Sequence, residues 1–167
     1  YRSASLLTQI ITDTKTGQVT TKTHDYTRKE GVVFSHIFAP SGLSDWCYNR
    51  QELWQRVEEK EGYVNATYAR EIDMALQTEF SLEQNIEIIS EFVRDNFVAV
   101  NMIADVNIHY DNPENPHAHI MLTMRELLLD DLGVSYFGKK VRSWNDKAWL
   151  LHLRKNWADI NNKYFRI

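Results

Sequence analysis

Between Ile103 and Arg125 the chain alternates apolar and polar residues in two runs. No other stretch limits the possible folds as strongly. In the first run Ala104, Val106 and Ile108 alternate with Asp105, Asn107 and His109. In the second, Ala118, Ile120, Leu122 and Met124 alternate with His117, His119, Met121, Thr123 and Arg125. Successive side chains of a strand point to opposite faces, so each run reads as a strand with one apolar and one polar side. The joining segment, Tyr110-Asp111-Asn112-Pro113-Glu114-Asn115-Pro116, is rich in turn formers. A hairpin of this kind must bury its apolar face under a second layer and turn its polar face away.

The remaining sequence supplies that layer. Asn49 to Glu61 reads as an amphipathic helix with Leu53, Trp54 and Val57 on one side, ended by Gly62. Ser81 is placed to cap a second helix whose stripe of Leu82, Ile86, Ile89, Phe92 and Val93 runs to about Val98. A long final helix is expected from Trp144 onward, with Trp149, Leu150, Leu153 and Trp157 inward. Val32 to Ala39, stopped by Pro40-Ser41-Gly42, and the alternating Tyr68 to Leu76 read as two further strands. Residues 3–11 are read as a short helix, and the threonine-rich Thr12 to Lys22 as a surface loop turning at Thr16-Gly17. Strands mixed with long helices, without βαβ alternation, indicate an α+β fold. Its antiparallel sheet carries helices packed on one face and the active site on the other.

The chain's 167 residues suffice for one domain, and no apolar run approaches the ~20 residues of a membrane helix. A single cysteine, Cys47, excludes an internal disulfide and fits a reducing compartment, so a cytoplasmic location is expected. The net charge of −4 argues against nucleic-acid binding only at first sight. Residues 52–95 carry eleven acids against four basic residues, while residues 138–167 carry eight basic residues against Asp146 and Asp159. A bipolar domain can present a basic face to an anion, although a solvated charged helix explains the same count.

The strongest chemical signal is three histidines on the polar face. His117 and His119 project in parallel from one strand, and His109 from its hairpin partner completes a facial set of three ring nitrogens. Such a set leaves open positions for substrate oxygens; the alternative is a sheet face that simply carries histidines in water. His24, His36 and His152 read as structural or surface residues. Glu71 and Asp73 lie opposite the Ile72 and Met74 side of their strand, and if that strand joins the sheet they share the histidine face. A carboxylate there could serve as general base, orient a ligand, or pair with a nearby arginine. Three imidazoles suit Mn²⁺, Zn²⁺, Ni²⁺ or Co²⁺ better than Mg²⁺, while availability in the cell favours Mn²⁺ or Mg²⁺.

The string Glu114-Asn115-Pro116-His117-Ala118-His119-Ile120-Met121-Leu122 resembles the HUH endonucleases, in which two histidines flank one hydrophobic residue. More closely, the chain resembles the MobA/MobL relaxases, including the amino-terminal domains of TraA-like conjugation proteins. The segments that carry this likeness, in order, are Tyr1-Arg2-Ser3-Ala4, Asp25-Tyr26-Thr27-Arg28-Lys29, Leu53-Trp54 with Val57-Glu58, and Ala69-Arg70-Glu71. Ile108-His109, the histidine motif through Thr123-Met124-Arg125, Gly138-Lys139-Lys140 and Arg142-Ser143-Trp144-Asn145 complete it. His-X-His alone is common; the ordered string is specific.

The resemblance implies a plasmid relaxase that nicks one DNA strand at an origin of transfer and later rejoins ends. It implies Tyr1 as nucleophile, forming a 5′-phosphotyrosine, with Tyr26 as the substitute candidate. It makes His109, His117 and His119 the holders of a divalent metal, and Glu71 the acidic residue near tyrosine and metal. Single-stranded DNA is the implied partner, together with accessory relaxosome and type IV secretion proteins, and delivery into the recipient cell with the transferred strand is implied too. Arg2, Lys15 and Lys22, with Lys139, Lys140 and Arg142 after the last expected strand, are candidate phosphate contacts. Tyr136, Phe137 and Trp144 beside them could stack bases or belong to the core. Family members have a strand ahead of the tyrosine and further regions behind, so residues 1–167 are expected to form a single nicking domain trimmed at both ends. Two other readings keep the same histidines: an HUH replication initiator or transposase-like nuclease, and a three-histidine hydrolase that activates water. A third is a catalytically silent nucleic-acid-binding module.

Overall fold

A computed structural model describes residues 6–13, 15–25, 31–63 and 65–166. Its centre is a four-stranded antiparallel sheet of β3 (Val32–Phe38), β5 (Ala104–His109), β6 (His117–Thr123) and β4 (Ala69–Ala75), in that order. Two hairpins stand outside it, β1 (Leu6–Thr12) with β2 (Val19–Asp25), and β7 (Arg125–Leu129) with β8 (Ser135–Lys140). The helices are α1 (Arg50–Glu61), α2 (Leu82–Asn96) and α3 (Lys147–Tyr164).

The alternating runs fix which side of the sheet is buried. Ala104, Val106, Ile108, Ala118, Ile120 and Leu122 are fully buried and pack with Ile89, Phe92 and Val93 of α2 and Leu153 of α3. Phe34, Ile72 and Trp157 flank this core. Each fully buried aliphatic side chain contributes roughly 1.5–3 kcal/mol, which favours this register over one slipped by a residue. The expected α+β architecture is present, with α2 and α3 on the apolar face and the histidines on the other. At the end away from the histidines that second face carries α1, whose Leu53, Trp54 and Val57 pack on Ile37, Met121 and Ile103.

Local chemistry sets the helix ends. The Asn49 side chain accepts from Glu52 N–H, and Gly62 closes α1 at φ 41°, a left-handed conformation that glycine adopts cheaply. Ser81 and Gln84 form a reciprocal capping box at the start of α2. The final helix begins at Lys147 rather than Trp144, because a 3-10 turn spans Arg142–Asn145 and buries Trp144.

Two regions depart from the sequence reading. Residues 6–12 are a strand and not a helix, and much of the expected loop after them is the partner strand β2. Leu6, Leu7, Ile10 and Ile11 are spaced to fit a helical stripe as well as a strand, and the β-branched partners Val19, Thr20, Thr21 and Thr23 decide it. Asp13 shapes the turn by accepting from Lys15 and Thr16 N–H, with Gly17 at φ 68°. Secondly, the chain from Arg125 to Lys140 is a hairpin, so Lys139 and Lys140 sit within a strand and not after the last one.

This second hairpin is tied to α1 by a buried carboxylate. Glu61, 5% exposed, accepts from Arg125 Nε at 2.7 Å and Lys140 Nζ at 2.9 Å. Burial alone would raise the Glu61 pKa, but the two cationic donors outweigh it and hold the carboxyl below its usual range. A depressed carboxyl pKa gives stability that is complete above the unfolded value of about 4.3 and is lost as pH falls through the folded value. Glu61→Gln is therefore expected to lose about 1–2 kcal/mol at pH 7. In urea titrations the gap to the wild type should narrow as pH falls below about 4, and a gap unchanged by pH would disprove the assignment.

Candidate metal centre

The histidine face is assembled by strand register. β5 pairs with β6 so that His109 stands opposite His117 and Asn107 opposite His119. β4 pairs with the other side of β6, setting Asp73 opposite His119 and Glu71 opposite Met121. Residues opposed across antiparallel strands share a face at ~5 Å, so the antiparallel pattern alone brings six polar side chains into one patch. The ring centroids are 5.3 Å apart for His109 and His117, and 5.0 Å for His119 with each of the others. One ring nitrogen from each histidine lies within 4.8 Å of the other two.

The outer contacts decide which nitrogen faces inward. His117 Nδ1 is 2.9 Å from the Asn115 carbonyl, which can only accept, so this nitrogen carries the proton. His119 Nδ1 is hydrogen-bonded to Asp73 Oδ1 and lies 3.3 Å from Glu71 Oε1. With Nδ1 engaged in both rings, Nε2 is the nitrogen that each can offer to a metal, as a metal-binding imidazole held by an outer acceptor does. His109 and His119 are each 7% exposed, while His117 is half-buried and leaves the cluster an opening to solvent. The donor set fits a divalent cation with three nitrogen ligands and vacant positions for oxygen.

A second group of potential ligands, Glu71, Asp73 and His119, shares one residue with the first. The carboxylates of the second group meet His119 at Nδ1. Filling both would require His119 to give up both ring protons, so the carboxylates are better suited to orienting that ring than to a second ion.

Beneath the histidines is a buried polar floor that the sequence did not single out. Asp105, fully buried, accepts from Arg50 Nε and Nη2 at 2.9–3.0 Å, from Trp54 Nε1 at 2.9 Å and from Asn107 Nδ2 at 3.0 Å. Asn107 Oδ1 in turn accepts from Ser35 Oγ at 2.7 Å. This chain of contacts anchors α1 to the row of the sheet next to His119. Its sequence signal is an acidic residue on the polar face of the strand that also carries His109.

The remaining candidates are dispersed. Tyr1, Arg2 and Tyr26 lie outside the described residues. Glu71 is on the metal face and partly exposed, as its alternation indicates. Lys139 and Arg142 are exposed, whereas Lys140 is held by Glu61 and by the Thr67 carbonyl at 2.9 Å. Trp144 is in the core, and Phe137 packs on Trp46 with centroids 5.4 Å apart; Tyr136 is exposed. His36 lies on the helix-covered side against Phe38, and burial with nearby Arg94 and Arg50 lowers its pKa. His152 is exposed on α3 and stacks on Trp149. Among the described residues no helix is long and apolar enough to cross a membrane.

A carboxylate that fixes a ligating imidazole typically accounts for about 10–100-fold in metal affinity. Asp73→Ala is expected to weaken Mn²⁺ binding by about that factor in calorimetric titration, and Glu71→Ala by less. Equal affinities for Asp73→Ala and the wild type would remove Asp73 from the site.

Comparison with known proteins places the chain among relatives. The MobA/MobL family model matches residues 1–166. Conjugal transfer protein TraA of Rhizobium radiobacter is 34% identical over 122 residues, 67% of this chain and 11% of TraA. Mobilization protein MobL of Acidithiobacillus ferridurans is 36% identical over 99 residues, 59% of this chain and 24% of MobL. The chain thus spans a small part of these relatives' length. A solved structure described as "Molecular Basis of Vancomycin Resistance Transfer in Staphylococcus aureus" superposes with a TM-score of 0.78 at 33% identity. The match covers 99% of this chain and 81% of that one.

Proposed function

The chain belongs to the MobA/MobL family, and from that membership we propose that it is the nicking domain of a conjugative relaxase. It would cut one DNA strand at an origin of transfer through a tyrosine and a metal held by His109, His117 and His119. The observation that carries this reading is the convergence of the three ring nitrogens on the face turned away from α2 and α3. A divalent cation bound there would neutralise the scissile phosphate and stabilise the extra negative charge of the transition state.

The chain's own residues do the rest. The Tyr1 hydroxyl oxygen attacks phosphorus, forming a P–O bond to the tyrosine and breaking the bond to the 3′ oxygen, which leaves as a hydroxyl. The phosphodiester's energy is kept in the 5′-phosphotyrosine, so the reverse attack by a 3′-hydroxyl rejoins strands. A phenol, normally of pKa near about 10, needs help to ionise at neutral pH. Asp73 is committed to His119, which makes Glu71 the better candidate to take the phenolic proton. Lys139 and Arg142, exposed and close in sequence, would grip the backbone of the single strand.

The test is a single-stranded oligonucleotide carrying an origin sequence with a cleavable phosphorothiolate at the nick, incubated with Mn²⁺ or Mg²⁺. A covalent DNA–protein adduct on a denaturing gel is expected, lost with EDTA, with Tyr1→Phe and with His119→Ala. An adduct that persists in Tyr1→Phe would move the nucleophile elsewhere, with Tyr26 the next residue to change. Metal-dependent hydrolysis without an adduct would favour a three-histidine hydrolase that activates water.

A further inference from the structure

A cavity of about 340 Å³ opens away from the histidines, where the end of β3 meets the end of α2. Its walls include His36, Phe38, Tyr48, Arg94 and Val98. The alternation of β3 builds it. His36 and Phe38 stand opposite Val106 and Ala104, so both point to the helix-covered side, and their rings meet edge to face at 4.6 Å. Phe38 is buried, whereas His36 and Tyr48 keep exposed surface. The Tyr48 hydroxyl donates to the Pro40 carbonyl at 2.6 Å, which holds that ring beside the cavity.

Arg94 supplies the charge. Its guanidinium carbon lies 5.3 Å from the Phe38 ring centroid, and among the described residues no carboxylate pairs with it. An arginine stacked on an aromatic face keeps its N–H groups for an anion. Burial lowers the His36 pKa, and Arg94 and Arg50 lower it further, so this ring is neutral at pH 7. The cavity thus combines two accessible rings with one cation.

We propose that this cavity binds one nucleotide unit of single-stranded DNA, its base against the His36 and Tyr48 rings and its phosphate on Arg94. Aromatic rings beside a cation hold a single strand without reading its sequence. The volume falls in the ~300–1,000 Å³ range of small-ligand sites, which suits one nucleotide and not a folded partner. Asp95 follows Arg94 and Glu91 lies one turn before it, so α2 offers no track to further phosphates. A polypeptide strand is disfavoured by the register shift between Val32 and Phe34 and by Pro40 just past the strand. β3 is the outer strand beside β5, and Val32 stands opposite His109. His36 lies four residues on, ~14 Å at about 3.4 Å each, so a strand leaving the metal face over β3 reaches the cavity within a few nucleotides. The choice of DNA as ligand rests on the relaxase reading; the cavity and its cation do not.

The probe is deoxyadenosine 5′-monophosphate, added with EDTA to isotope-labelled protein and followed by NMR. Saturable shifts are expected at the His36 and Tyr48 ring protons, with those of His109, His117 and His119 unmoved. Deoxyadenosine and inorganic phosphate should each bind about tenfold more weakly. Arg94→Gln should weaken the nucleotide by about tenfold while Mn²⁺ affinity stays at the wild-type value. Tyr48→Ala should weaken a single-stranded oligonucleotide by about fivefold or more, again with EDTA present. The proposal is overturned if the nucleotide leaves His36 and Tyr48 unmoved, if inorganic phosphate binds as tightly, or if Arg94→Gln changes nothing. Tighter binding of a blocked phosphotyrosine peptide would overturn it too, giving the cavity to a protein partner. Adduct formation by the wild type reports separately on the relaxase reading. An adduct without a response at the cavity overturns the nucleotide site alone, and a response without an adduct overturns only the relaxase reading.

Discussion

Everything at the candidate centre depends on the antiparallel register of β5, β6 and β4. His109, His117 and His119 come from two strands, and Asp73 from a third, so no local segment holds the site by itself. The register is held by the apolar residues between them. Ile108, Ala118 and Ile120 alternate with the histidines and are fully buried. A one-residue slip of β6 would put His119 into the hydrocarbon core and Ile120 into water. The free energy that folds the sheet is thus the same free energy that positions the ligands, and the site needs no separate scaffold.

The polar floor extends this coupling to α1. Burying the Asp105 carboxylate without partners would cost far more than any one hydrogen bond returns. Arg50 and Trp54, one helical turn apart on α1, both reach it, and Asn107 carries the contact toward His119. The helix is therefore fixed to the sheet at one point by charge and along its length by Leu53, Trp54 and Val57. Glu61 at its other end repeats the device with Arg125 and Lys140, securing β7 and β8. Two buried carboxylates, one at each end of α1, join three parts of the fold.

Strict periodicity is what makes a part of this fold legible in the sequence. Alternation identifies β5 and β6, places the histidines on one face, and puts Glu71 and Asp73 there once β4 joins the sheet. Caps at Asn49, Gly62 and Ser81 mark helix ends because each satisfies a specific backbone group. The first hairpin is not legible, because Leu6, Leu7, Ile10 and Ile11 satisfy helical spacing too, and the strand pairing that decides between them is not local. The β7–β8 hairpin escapes notice because Gly138 and the charged Glu126 and Lys139 blur its alternation. Register is also beyond reach. Two carboxylates on one strand are equivalent in the sequence, and only pairing with β6 brings Asp73 against His119 and sets Glu71 one step away.

That one-step offset has a chemical consequence. A carboxylate hydrogen-bonded to the far nitrogen of a ligating imidazole increases the ring's electron donation and fixes its tautomer, but is then poorly free to accept a second proton. A carboxylate held slightly farther away keeps that capacity. Antiparallel pairing opposes residues one to one, so Asp73 and Glu71, two residues apart on one strand, cannot both stand opposite His119. Under the proposed reading, a pair of acids on adjacent same-face positions would thereby divide between ring orientation and proton acceptance by geometry. The division would persist if the two residue types were exchanged, provided the longer glutamate side chain could fold back to reach Nδ1. The proposed roles would belong to the register positions more than to the amino acids that occupy them.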